Sequence, residues 1–166
     1  MHKIVLASKN QGKISEIAAM LQKLQPDLQV LGLSDFPQVR PLQETGKTFE
    51  ENALQKAKAV ADATGLAALA DDSGLEVDAL QGAPGVYSAR FSGEDATDEN
   101  NNEKLLKEMA QVPDSSRQAR FVCVLIAYAP SGITARAEGR WEGFVGKSPR
   151  GKSGFGYDPV FIDKQT

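Results

Sequence analysis

Residues 119–129 read ARFVCVLIAYA, and no other stretch constrains the fold as much. The run is β-branched, aromatic and aliphatic, holds no Gly or Pro, and is followed at once by Pro130, Ser131 and Gly132. That is the pattern of a long strand ending in a tight turn. Ile133–Trp141 (ITARAEGRW) then alternates as the returning strand. The chain must therefore contain an antiparallel hairpin, set in a sheet large enough to cover its apolar side chains.

The first third has a different rhythm. Lys3–Ala7 (KIVLA) is apolar without alternation, as in a strand buried on both faces. Ser8–Lys13 (SKNQGK) reads as a polar turn, after which Ile14, Ile17, Ala18, Leu21 and Leu24 recur at helical spacing until Pro26. Val30–Leu33 suggests a second short strand. Thr48 and Glu51 fit a capping box; Phe49, Ala53, Ala57, Val60 and Ala61 form one buried helix face, and Gly65 stands where a C-cap belongs. Leu66–Ala70 reads as a strand and Leu75–Leu80 as the start of a short helix. Gly82–Gly93 is loop-rich, Thr97–Met109 is helical with Leu105, Leu106 and Met109 inward, and Gly143–Asp158 is rich in glycine and ends in GFGYDP. Strands alternating with helices, then a hairpin, make a mixed α/β domain. A length of 166 residues suits one domain over residues 1–166, with one core or two lobes.

Charge narrows the function classes. The net charge of −3 and a pI near 5.3 argue against a nucleic-acid polymer as partner, since such binders show a basic face. A small anionic ligand stays open, because it needs only a local positive site. No apolar run approaches the roughly 20 residues that span a bilayer, so no membrane partner is expected. The single cysteine, Cys123, cannot form an internal disulfide; it is expected to pack as a small apolar residue in a reducing, cytoplasmic setting. His2 is the only histidine, which leaves a nucleophilic triad without a base and zinc without a ligand cluster.

Five segments carry the chemistry that remains. SKNQGK, between a strand and a helix, presents backbone N–H groups, a helix N-terminus and Lys13 to an anion, though an ordinary βα turn looks the same. Glu44 precedes a helix on which Asn52 and Lys56 share a face, suited to a metal and a phosphate or simply to solvent. Asp71 and Asp72 close an apolar strand, where α/β proteins place their sites. If the strand continues, the two carboxylates point to opposite sides and do different work. One could hold Mg²⁺, and a plain DSG turn is the other reading. Gly146–Ser153 (GKSPRGKS) matches the pattern G-x-x-x-x-G-K-S/T, but the glycines and proline of GFGYDP after it cannot open a helix, so it is not a P-loop. Lys147, Arg150 and Lys152 in it can still attract an anion. Phe155, Gly156, Tyr157 and Asp158 place two aromatics and an acceptor together, able to stack a base or to pack as a turn.

In order, the segments SKNQGK, ETGKTFEENALQKA (Glu44–Ala57), ADDSGLEVDAL (Ala70–Leu80), GAPGVYSARFSG (Gly82–Gly93) and GFGYDP (Gly154–Pro159) cover nearly the whole chain. Together they resemble the inosine-triphosphate pyrophosphatase family, the nucleotide-pool cleansing enzymes. The resemblance implies an α/β fold, a mixed β-sheet flanked by helices, in two lobes with the active site in the cleft between them. It implies Mg²⁺-dependent hydrolysis of inosine and xanthosine triphosphates and their deoxy forms to monophosphate and pyrophosphate, by a cytoplasmic homodimer. Carried over by position, Ser8, Asn10 and Lys13 contact the triphosphate together with Lys56. Glu44 and Asp72 hold the metal, Asp72 and Lys56 are catalytic, and Ser73 binds substrate. Phe155 stacks on the base within the Phe155–Gly156–Tyr157–Asp158 segment, and Asp158 reads the oxopurine edge. Members of that family close with a Ser-His-Arg-Gly-type motif that also meets the base; residues 1–166 carry none. Another metal-dependent nucleotide phosphohydrolase, or a nucleotide-binding module without catalysis, are the alternative readings.

Overall fold

Strand β1 (Lys3–Leu6) pairs in parallel on both sides, with β2 (Gln29–Gly32) and with the start of β3 (Ala67–Val77). That explains why KIVLA does not alternate: Val5 and Leu6 are buried, and Ala7 N–H extends the pairing by donating to Leu69 O at 2.8 Å. The computed structural model describes residues 2–8, 11–40, 42–151 and 154–165. Its sheet has six strands in the order β2-β1-β3-β4-β5-β6, with β4 (Gln118–Tyr128), β5 (Thr134–Val145) and β6 (Phe161–Asp163) completing it. β5 and β6 are antiparallel, so the sheet is mixed, and the fold is α/β as expected. The hairpin is present, closed by Ala129 N–H to Ile133 O at 2.9 Å over Gly132 at φ +88°.

Among the described residues three α-helices accompany the strands: α1 (Gln11–Leu24), α2 (Phe49–Thr64) and α3 (Asp98–Glu108). α1 begins earlier than the apolar spacing suggests, which puts Lys13 in its first turn rather than in the preceding loop. Leu24, counted on its buried stripe, is 84% exposed. On α2 every residue of the expected face is buried, and Asn52 is buried with them. The Thr48 hydroxyl accepts from Glu51 N–H at 3.1 Å. The Glu51 carboxylate instead accepts from Lys47 N–H at 2.6 Å, one residue before the cap, so the box closes on a different donor. Gly65 ends α2 at φ +68°, as its position predicts.

By contacts within the chain the protein divides into two compact units, residues 1–72 with 124–138, and residues 73–123 with 139–166. The first contains β1, α1, β2 and α2. The second has its own core of Leu75, Val77, Leu105, Met109, Ala119, Val145, Tyr157 and Val160. Arg117 is buried and donates to four carbonyls, those of Met109, Val112, Val145 and Gly146, at 2.7 to 3.1 Å. These bonds occupy four of the five N–H donors of a buried guanidinium.

Two further expectations are corrected. β3 does not stop at Ala70 but runs through Asp71–Asp72–Ser73–Gly74 to Val77, so there is no DSG turn; Leu75–Val77 is strand, and only Asp78–Leu80 coils. Cys123 is half-buried rather than buried. β5 extends into the glycine-rich stretch, where Gly143 lies against β6: a Cβ there would meet Ile162 O at 2.3 Å and the Phe161 ring at 2.4 Å. The rejected P-loop segment contains no helix among the described residues; the next element is a single 3-10 turn at Asp158–Val160.

Candidate functional site

In the first unit the parallel register decides which side chains meet. Since β1 and β3 run the same way with Leu6 beside Leu69, the carboxyl end of β1 lies beside β3 just before Asp71 and Asp72. α1 starts just beyond β1 and carries Lys13 to Asp71, Nζ to Oδ2 at 2.5 Å. Asp71 is buried, and this ion pair compensates it. Half-buried Ser8 follows the end of β1. Asn10, expected beside it, lies outside the described residues.

Asp72, on the opposite side of the strand, meets α2 instead. Asn52 Nδ2 donates to its Oδ2 at 3.0 Å, and Lys56 Nζ stands 3.6 Å from its Oδ1. Lys56 also donates to Glu44 Oε1 at 2.8 Å. The same Asn52 accepts from Gly46 N–H at 2.8 Å, and a Cβ on Gly46 would come within 2.6 Å of its Oδ1. Glycine is therefore required by close approach. Glu44, Lys56, Asp72 and Asn52 form one connected group, and Lys13 with Asp71 a second. Half-buried Ser73 continues β3 from Asp72.

No group of three His, Cys, Asp or Glu side chains able to hold a metal occurs among the described residues. Two carboxylates, Glu44 and Asp72, do converge on the Lys56 ammonium. Hard oxygen ligands of that number suit Mg²⁺, which is usually held by one or two protein carboxylates with waters and substrate phosphates. The donor set fits the ion.

In the second unit the two aromatics of FGYD part company. Phe155 is 67% exposed, whereas Tyr157 is buried and donates its hydroxyl to Ser88 O at 2.7 Å. Burial, and then the negative charge of Asp98, push the Tyr157 phenol above its ordinary pKa. Asp158 Oδ2 accepts from Phe155 N–H at 3.0 Å, closing the loop on itself. Gly154, at φ +95°, leaves no room for a Cβ, which would lie 2.5 Å from that oxygen. Gly156 is bound at both backbone groups, its N–H by Asp98 Oδ2 at 2.7 Å and its carbonyl by Asn102 Nδ2 at 2.9 Å.

Sequence reading did not single out Asp98, Asn101 or Asn102, and it gave Asn52 no bond to Asp72. A signal existed. Asparagine is a poor helix former, yet Asn52 shares the stripe of Ala53 and Phe49, and Asn101 lies one turn before Leu105 on the inward face. A polar residue continuing a buried stripe needs a buried partner.

The chain matches the Ham1 family over residues 4–166. It is 56% identical over 169 residues to a dITP/XTP pyrophosphatase of Nitratidesulfovibrio vulgaris, covering 98% of this chain and 81% of that protein. It is 50% identical over 164 residues to a dITP/XTP pyrophosphatase of Shigella flexneri, covering 98% and 82%. Among solved structures it is similar to a HAM1 protein from Coxiella burnetii, with a TM-score of 0.90 and 43% identity over 99% of this chain and 83% of that one. A nucleoside-triphosphatase / dITP/XTP pyrophosphatase from Mycobacterium abscessus superposes with a TM-score of 0.89 and 42% identity, covering 99% and 85%.

Proposed function

The chain belongs to the Ham1 family, and from that premise we propose that it hydrolyses inosine and xanthosine triphosphates and their deoxy forms to the monophosphate and pyrophosphate. The observation that carries the reading is the convergence of Glu44 and Asp72 on Lys56, with Asn52 holding Asp72 from the other oxygen. A triphosphate brings at least three negative charges, and cleaving it between the α and β phosphorus atoms needs that charge neutralised and a water placed in line. Lys13 and Lys56 would exchange their carboxylate partners for phosphate oxygens, with Ser8, Asn10 and Ser73 as further contacts. Glu44 and Asp72 would hold Mg²⁺, which when bound supplies further charge neutralisation on the phosphates. Asp72 would also orient the water and accept its proton as the α-phosphorus–oxygen bond forms and the bridging bond to pyrophosphate breaks.

Phe155, exposed and on a braced loop, would stack on the base, and Asp158 would read the 6-keto purine edge beside it, with Gly156 and Tyr157 completing the segment. Groups matched to a 6-keto oxygen and N1–H are left unpaired by a 6-amino purine, and that mismatch rejects it. In this reading the enzyme is a cytoplasmic homodimer that acts on free nucleotides, not on a nucleic-acid polymer or at a membrane. No helix of the described residues is long and apolar enough to cross a membrane.

The decisive experiment incubates the protein with ITP, XTP and ATP in Mg²⁺ and assays both phosphate products. Pyrophosphate with IMP or XMP is expected, lost with EDTA and restored by excess Mg²⁺. Orthophosphate without pyrophosphate from ITP would overturn the reading in favour of another phosphohydrolase, and binding without turnover in favour of a binding module.

A further inference from the structure

The N-terminal half of α3, DENNN, is where the second unit's loops are gathered. Asp98 and Asn102 are one helical turn apart on one face and grip both backbone groups of Gly156. Their neighbour Asn101 donates to the carbonyls of Ser88 and Ala89 at 3.3 Å and accepts from Ser92 N–H at 2.8 Å. Ser88 O also receives the Tyr157 hydroxyl. One helix turn thus holds both the GVYSARFSG segment and the FGYD segment.

The grip on Gly156 has a cost to folding. Asn102 is 6% exposed and its Oδ1 finds no hydrogen-bond partner among the described residues. A buried amide left half-satisfied is unfavourable, and an apolar residue of similar size would avoid that. Gly156 itself sits at φ +60°, in the left-handed region that favours glycine, with open space where a Cβ would be. Gly156 separates Phe155 from Tyr157. Tyr157 is anchored in the core, and Phe155 and Asp158 are bonded to each other, Phe155 N–H to Asp158 Oδ2 at 3.0 Å and Asp158 N–H to Phe155 O at 3.2 Å. The clamp on the Gly156 peptide therefore ties this whole turn, with the exposed Phe155 ring and the Asp158 carboxylate, to α3.

We propose that Asp98 and Asn102 are positioning residues for nucleobase recognition: by clamping the N–H and C=O of Gly156 they hold Phe155 and Asp158 in the orientation that distinguishes a 6-keto from a 6-amino purine. The inference rests on the proposed reading of Phe155 and Asp158 as the base-contacting residues. Neither Asp98 nor Asn102 touches substrate, so both act through the loop.

The test compares Asn102→Leu, Asp98→Ala and Asp98→Asn with the wild type and with Phe155→Ala, measuring kcat and KM for ITP and for ATP. Losing one such bond is a change of about 1 kcal/mol, so Asn102→Leu and Asp98→Ala should raise KM for ITP about fivefold. The ITP-over-ATP ratio of kcat/KM should fall by a similar factor, with kcat within about twofold. Asp98→Asn keeps an oxygen for Gly156 N–H and should restore KM. A variant that merely unfolds in part lowers the active fraction, and with it apparent kcat, while its folded molecules keep the wild-type KM; thermal melts identify that case. Unchanged KM and ITP-over-ATP ratio in both Asn102→Leu and Asp98→Ala would overturn the inference alone. Wild-type protein that forms no pyrophosphate from ITP, or an unchanged KM in Phe155→Ala, would overturn the reading it rests on.

Discussion

Asp71 and Asp72 are adjacent in the chain, carry the same charge and are both buried, yet they have different partners. Strand alternation sends Asp71 to Lys13 of α1 and Asp72 to Asn52 and Lys56 of α2. That separation could be foreseen from the residues, provided the strand continued. The identity of the partners could not, since 58 residues separate Lys13 from Asp71 and 20 separate Asn52 from Asp72. Two outcomes follow at this scale. Asp72→Asn should lower kcat at least 100-fold, the usual worth of a positioned proton acceptor, with an unchanged melting temperature and circular dichroism; near-normal turnover would end its assigned role. Asn52→Leu removes the acceptor for Gly46 N–H and a donor to Asp72, a loss of about 2 kcal/mol. Differential scanning calorimetry should register it as a Tm drop of roughly 5 °C, alongside lower kcat.

Elements were most legible where local chemistry decides them. α2 carries its cap, its buried face and its Gly65 stop in consecutive residues, and all three appear. Only the Glu51 carboxylate moved, to Lys47 N–H, because side-chain reach and not spacing selects the donor. Thr48→Ala should therefore cost about 1 kcal/mol, visible as a lower midpoint in urea with an unchanged m-value, and Thr48→Ser should recover most of it. β3 was the least legible. Asp-Asp-Ser-Gly favours a turn by local preference, but its residues continue a strand whose neighbours supply partners for the two carboxylates. Tertiary pairing outweighed turn propensity there, as it did at Gly143, where β6 continues the sheet through a glycine-rich stretch.

For the molecule as a whole, each unit contains a buried polar arrangement that no single segment encodes. In the second unit these are Arg117 with its four carbonyls and Tyr157 with Ser88. The phenol of Tyr157 has its pKa raised above the ordinary 10.0 by burial and by Asp98, so the neutral form is favoured in the fold. An acid whose folded pKa is raised contributes stability that is fully present below its unfolded pKa and lost as pH rises beyond it. Unfolding free energy should therefore decline above about pH 10. Tyr157→Phe should be less stable by about 1 kcal/mol at pH 7, for want of the bond to Ser88, yet decline less steeply in alkali. Denaturant titrations at neutral and alkaline pH give both numbers, and parallel pH profiles for the two proteins would contradict the assignment.

Taken alone, the sequence determined the α/β class, the late hairpin, the three helices and the motif order that marks the family, because these rest on periodicity, caps and residues local in the chain. Tertiary structure alone decided that Asp71 and Asp72 serve different cations, that Asn52 links Gly46 to Asp72, that Phe155 is exposed while Tyr157 is core, and that α3 clamps Gly156. Each of those is a contact between distant segments, and the register of parallel strands and the facing of helices set such contacts, which no local preference can encode.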